Sequence, residues 1–180
     1  MTYLDVGAWS GRTYPLGAVV AGYDGKEHGR AALVWAAQEA ARRDAPLVVL
    51  HAANYPGMTG PPGTGLHHRD PGALEAADEL TARGVAEAVA AVPGLDVLGA
   101  TEVASAGRAL VEASRKASLV VLGSRGHRRL VGTWRRSVGL EVTSRAYSPV
   151  VVVRGESAAV HVTRADLLGP PLDCRRGARG

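Results

Sequence analysis

Five short apolar runs alternate along this chain with four stretches of helical periodicity, and that alternation leaves few folds open. The runs are Gly17–Tyr23, Leu47–Ala52, Leu95–Val103, Leu119–Leu122 and Pro149–Val153. Glycine–tyrosine run 17–23 and the four-valine run 150–153 are nearly continuous, the pattern of a strand covered on both faces rather than one. Between them, Glu27–Arg43 places Ala31, Val34, Ala37 and Ala41 at helical spacing, and Asp44-Ala45-Pro46 stops it. Ala73–Ala91, Gly107–Ala117 and Ser137–Ala146 read as three further helices, the first of these ended by Pro93-Gly94. A βαβαβαβαβ order implies one doubly wound α/β domain: a five-stranded parallel sheet, right-handed crossovers, helices on both faces.

Composition fits that packing. The apolar fraction is 46% with no Phe, so the core is built from Ala, Val and Leu, small enough for helices to lie close on a sheet. No run approaches the length that crosses a bilayer. An early Asp5 and the lack of a basic-then-apolar segment argue against a secretory signal, and the single Cys174 excludes an internal disulfide. A cytoplasmic setting is the expectation.

Residues 1–15 mix Gly, Tyr, Trp and Thr without period and read as an irregular leader to a domain over 16–154. Ala53–Gly72 holds nine Gly or Pro residues among 20, which no element interior accommodates, so it reads as a long loop. Residues 155–180 read as a flexible basic tail, with 158–162 as its one possible short segment. Charge divides sharply: residues 1–122 carry 10 basic and 13 acidic side chains, residues 123–180 carry 11 and 4. The net +7 of the second part places a positive field around the region after Gly123 and favours an anionic ligand or partner. A solvated arginine-rich surface is the competing reading.

Val120-Val121-Leu122-Gly123-Ser124-Arg125-Gly126 is the stretch richest in chemistry. An apolar run meets a Gly-x-x-Gly turn, and a helix opens near Ser137. Glycines let a backbone approach an anion closely, and N–H groups at a helix start point at it. The same glycines would also serve close strand-to-helix packing. Asp24-Gly25 ends the first strand; it is either a plain turn whose Asp caps the next helix or a ligand-facing carboxylate.

These residues resemble the universal stress protein family: Val19-Val20-Ala21-Gly22-Tyr23-Asp24-Gly25, Leu50-His51-Ala52, Gly123-Ser124-Arg125-Gly126, Ser137-Val138 and Ser148-Pro149-Val150-Val151-Val152-Val153 stand in the family's order over about residues 16–154. The resemblance implies a doubly wound fold, commonly dimeric, in a branch that often binds ATP, with Mg²⁺ arriving with the nucleotide. That branch carries Gly, two residues, Gly, nine residues, Gly, then Ser or Thr. Gly123, Gly126 and Ser137 match, and Arg136 stands in place of the third glycine. By the same carry-over, Asp24 faces adenine and ribose, Ala52 lies against the base, and Ser137 and Val138 offer hydroxyl and N–H to phosphates. Arg136 either blocks the phosphate pocket or forks its guanidinium onto phosphate oxygens. A homodimer through the fifth strand is expected, with a protein partner of unknown identity.

Other signals are weaker. Arg125, His127, Arg128, Arg129 and Arg135 lack the interleaved aromatics of a single-strand nucleic-acid platform, so nucleic acid is not expected. His67-His68 with Asp70 makes a poor metal cage. Trp35 reads as packing. Neither a Gly-x-Ser-x-Gly elbow nor a Walker Gly-Lys-Ser/Thr is present, and Asp24 is the one carboxylate placed at a strand end. The function implied is therefore a stress-response ATP-binding regulatory module, not an enzyme; the alternative is a non-nucleotide-binding interaction module with Arg136 in the phosphate pocket.

Overall fold

The structure, a computed structural model, describes residues 14–53, 71–124 and 138–154, and the backbone strand 158–162. Ten elements follow one another: β1 (Val19–Gly22), α1 (Glu27–Arg42), β2 (Leu47–Ala52), α2 (Pro71–Ala91), β3 (Val97–Glu102), α3 (Ala106–Ala113), β4 (Leu119–Ser124), α4 (Val138–Arg145), β5 (Val150–Arg154) and β6 (Ala158–Val162). They form one sheet in the order β3-β2-β1-β4-β5-β6. The first five strands run parallel, as the alternation required. β6 returns antiparallel on the outer edge of β5. Among the described residues no helix is long and apolar enough to cross a membrane.

Small side chains fill both faces. On one, Val19, Ala21 and Tyr23 of the first strand and turn meet Ala32, Leu33, Ala36, Ala37 and Ala40 of α1 and Ala88 of α2. On the other, Ala18, Val20, Val120 and Leu122 meet Ala109, Leu110 and Ala113 of α3 and Val142 of α4. Trp35 packs at the margin of the first face, as expected. Alternate residues of each strand supply the two faces, which is why these strands read as continuous apolar runs.

Local chemistry sets the element ends. Arg42 and Arg43 both reach Glu39, the latter at 2.7 Å, and hold its carboxyl below the usual glutamate range. Asp44 then takes φ +51 and the chain leaves the helix toward Pro46. Gly94, at φ +87, does the same after α2. α2 starts two residues before its expected beginning because Pro71 fits a helix's first position, where no N–H is needed. Inside the first face Thr81 Oγ1 donates to the Ala77 carbonyl at 3.0 Å and lies 2.8 Å from Thr101 Oγ1, satisfying two buried hydroxyls.

Two expectations change. β4 continues two residues past Leu122: Gly123 and Ser124 pair with Val153 and Arg154, so Gly123 belongs to the strand and not to a turn. The fifth strand is not an edge, because β6 lies along it from Val150↔Val162 to Arg154↔Ala158. A dimer formed through β5 would have to displace β6, and the sheet reaches beyond the boundary at residue 154 into the stretch read as a tail.

Candidate functional site at the strand ends

Strand order reverses between β1 and β4, whose connections leave toward opposite faces, and the crevice at their carboxyl ends is where a doubly wound sheet takes ligands. β1 ends at Gly22, where a Cβ would meet Leu122 Cδ2 at 2.9 Å; the close packing of two neighbouring strands and α3 leaves no room for a side chain. Tyr23 follows, 3% exposed, its N–H donating to the Leu50 carbonyl at 2.9 Å. Burial raises the Tyr23 phenol's pKa, an effect the nearby Glu87 adds to and the Arg30 guanidinium opposes. Arg30 and Glu87 pair at 3.1 Å, tying α1 to α2. His51, one residue before the end of β2, donates from Nδ1 to the Tyr23 carbonyl at 2.9 Å.

Asp24 therefore leaves a well-anchored strand. Its Oδ1 accepts the Lys26 N–H at 3.1 Å, and its Oδ2 lies 3.2 Å from His28 Nε2 and 3.7 Å from Lys26 Nζ. Lys26 occupies the N-cap of α1 and makes no side-chain cap bond, so the carboxylate two residues earlier satisfies that N–H instead. Gly25 turns the chain at φ +72. Gly29 clears space for the carboxylate: a Cβ there would stand 2.5 Å from Asp24 Oδ1. The Asp24 side chain remains 40% exposed while Lys26 and His28 brace it from the helix side.

Gly123 completes the brace from β4. A Cβ on it would fall 2.1 Å from the His28 carbonyl oxygen and 2.9 Å from the Gly29 nitrogen. The first turn of α1 thus lies directly on the end of β4, and the glycine is explained by that contact between backbones. It brings Asp24, Lys26, His28 and the β4 terminus into one small region.

Ala52 ends β2 partly exposed, opposite Glu102 of β3. Glu102 is a second carboxylate at a strand end, which the sequence reading did not place there. It is 7% exposed, accepts a 2.5 Å hydrogen bond from the Tyr14 hydroxyl, and its carbonyl receives the Ala53 and Ala104 N–H groups. The signal for it was available: Thr101-Glu102 follows directly on the apolar Val97–Ala100 run. Val138 opens α4 and is 39% exposed. Gly126, Arg136 and Ser137 lie outside the described residues, as do His67, His68 and Asp70. Among the described residues no group of three or more His, Cys, Asp or Glu side chains could hold a metal ion. Of the expected site residues, the structure thus brings Asp24 and Gly123 together around the start of α1, with Ala52 at the neighbouring strand end.

Comparison with known proteins agrees with this architecture. The model of the universal stress protein family matches residues 16–154. A universal stress protein of Mycolicibacterium smegmatis is 31% identical over 154 residues, covering 83% of this chain and 52% of that protein. One from Mycobacterium tuberculosis is 33% identical over 147 residues, covering 79% and 49%. The chain spans about half the length of these curated relatives. Among solved structures, a universal stress protein in complex with cAMP superposes with a TM-score of 0.62 at 24% identity, covering 78% of this chain and 98% of that one. A universal stress protein from Archaeoglobus fulgidus in complex with dAMP gives 0.54 at 20%, covering 77% and 97%. With a family match that runs across all five parallel strands, β1 to β5, the chain belongs to the universal stress protein family.

Proposed function

We propose that this protein binds an adenine nucleotide, ATP with its Mg²⁺, at the carboxyl ends of β1, β2 and β4, and acts as a cytoplasmic stress-response regulatory module rather than as a catalyst. The observation that carries the reading is the half-open Asp24 carboxylate at the point where strand order reverses. A carboxylate there accepts from ribose hydroxyls and the base edge, and its bracing by the Lys26 N–H and His28 fixes its direction before a ligand arrives. Ala52, small and partly exposed, leaves the flat side of the base unobstructed. Gly123 brings the start of α1 up to the β4 end, and the five arginines from Arg125 to Arg136 supply positive charge for a polyphosphate. Ser137 and Val138 begin the segment whose hydroxyl and N–H would meet those phosphates. Two proteins that share the fold are described in complex with cAMP and dAMP, which is in keeping with this ligand class.

A second reading has its own observation. The Asp24 carboxylate already has three internal partners, and Gly123 is accounted for by the His28 carbonyl. Both are what a non-nucleotide-binding interaction module would retain, with Arg136 filling the phosphate pocket. The experiment that separates the two is a thermal-unfolding series with ATP, with and without Mg²⁺, on the parent and on Arg136→Gly. Stabilisation of the parent that weakens with added salt supports nucleotide binding through a guanidinium clamp. Stabilisation of Arg136→Gly alone identifies Arg136 as a block. No shift in either at millimolar ATP sinks the nucleotide reading.

A further inference from the structure

We infer that Glu141 is a positioning residue for the phosphate end of the nucleotide, holding the first turn of α4 against the first turn of α3. The inference rests on the reading of the crevice as an adenine-nucleotide site and adds to it what keeps α4 in place. Val138 opens α4, where phosphate oxygens would meet backbone N–H groups. The turn it begins has little to hold it. Of the eight residues of α4 only Val142 is buried. Val138 and Leu140 are exposed, and Gly139 is half-buried. The other end of the helix is secured three ways. Ala146 shares the α3-side core with Val142, the Tyr147 N–H donates to Ser114 Oγ at 2.9 Å, and the Arg115 guanidinium lies 4.0 Å from the centre of the Tyr147 ring. These contacts fix the carboxyl end of α4 and leave its amino end to be fixed by something else.

Glu141 supplies that contact. Its side chain crosses to α3, where a Cβ on Gly107 would overlap the carboxylate at both Oε2 and Cδ. Gly107 is buried and is the second residue of α3, so the carboxylate rests on the helix backbone at the end that carries partial positive charge. Ser105, the N-cap of α3, makes no side-chain cap bond. A carboxylate from the neighbouring helix therefore stands beside the turn that a capping side chain would otherwise serve. The other oxygen, Oε1, is 3.6 Å from Arg145 Nη1, one turn along α4. One side chain thus ties the start of α4 both to α3 and to its own next turn. Both partners also offset its negative charge, which would otherwise oppose an anion arriving one turn away.

The test removes the brace from either side, in the full chain. Glu141→Ala deletes the carboxylate. Gly107→Ala evicts it, because the new methyl takes its space and the half-exposed side chain swings into solvent. Amide hydrogen exchange without nucleotide is expected to quicken at residues 142–145 in both variants, with α1 and β4 unchanged. The double variant should match the singles, since each loses the same contact. Calorimetric titration should then show ATP affinity lower by about fivefold or more in each variant, with adenosine within about twofold of the parent, because only phosphates meet α4. Exchange in α4 equal to the parent's, effects that add in the double variant, or equal losses for ATP and adenosine overturn the proposal. A parent that binds neither ligand sinks the nucleotide reading and the phosphate role with it, while the exchange result still separates a braced α4 from an unbraced one.

Discussion

Replacing Gly123 by alanine strikes the contact that assembles the site. The new methyl carbon would start 2.1 Å from the His28 carbonyl oxygen, 2.5 Å from its carbonyl carbon and 2.9 Å from the Gly29 nitrogen. All three are backbone atoms in the first turn of a 16-residue helix, so no side-chain rotation relieves the clash. The turn has to withdraw from β4 by about 1 Å to reach an ordinary approach, and overpacking of this kind costs about 1–3 kcal/mol. Withdrawal also moves Lys26 and His28 off the Asp24 carboxylate, so nucleotide affinity falls with stability. Gly94→Ala is the matched control: its methyl meets nothing within 4 Å, and its cost is the strain of φ +87 alone, about 1 kcal/mol. Urea unfolding of the parent and both variants, read from midpoints at constant m, makes the comparison. Gly123→Ala within about 0.5 kcal/mol of the parent, or no worse than Gly94→Ala, would refute the reasoning.

Two further outcomes follow from the packing. Glu39 has a lowered pKa from Arg42 and Arg43, so its contribution is present above the unfolded value near 4.5 and is lost as pH falls through the folded value. Glu39→Gln should therefore cost under about 1 kcal/mol at neutral pH, with the difference from the parent shrinking in urea titrations as pH is lowered below the unfolded value and through the folded one. Thr81→Val leaves the buried Thr101 hydroxyl without its partner and should cost about 1–3 kcal/mol, while Thr81→Val/Thr101→Val recovers most of that loss; a double variant as unstable as the sum of the singles would contradict the pairing.

The fold was legible because each of the five parallel strands is covered on both faces and each helix carries its apolar residues at one spacing. Val19–Gly22 and Val150–Val153 could hardly be anything else. β6 was not legible as part of the sheet, since Ala-Ala-Val-His-Val is short and only its pairing to β5 makes it a strand. At the site, Asp24 could be read from Asp-Gly at a strand end, but its three internal partners could not, because His28 and Lys26 reach it only once α1 has formed. Gly123 looked like a turn residue because strand and turn glycines are alike in sequence; what distinguishes it is the helix backbone lying on it. Glu102 was not legible for a related reason: its hydrogen-bond partner, Tyr14, stands 88 residues away.

The central claim is that Asp24 is the ligand-facing carboxylate of an adenine-nucleotide site, and calorimetric titration of ATP into the parent and into Asp24→Asn tests it most directly. Asn keeps the size of the side chain and an oxygen for the Lys26 N–H, so the fold should hold while the charged acceptor is lost. The account predicts one site per chain in the parent and an affinity loss of about tenfold or more in Asp24→Asn, in line with about 1.5–3 kcal/mol for a hydrogen bond to a charged group. Absence of binding by the parent, or equal affinity in the two, would contradict it.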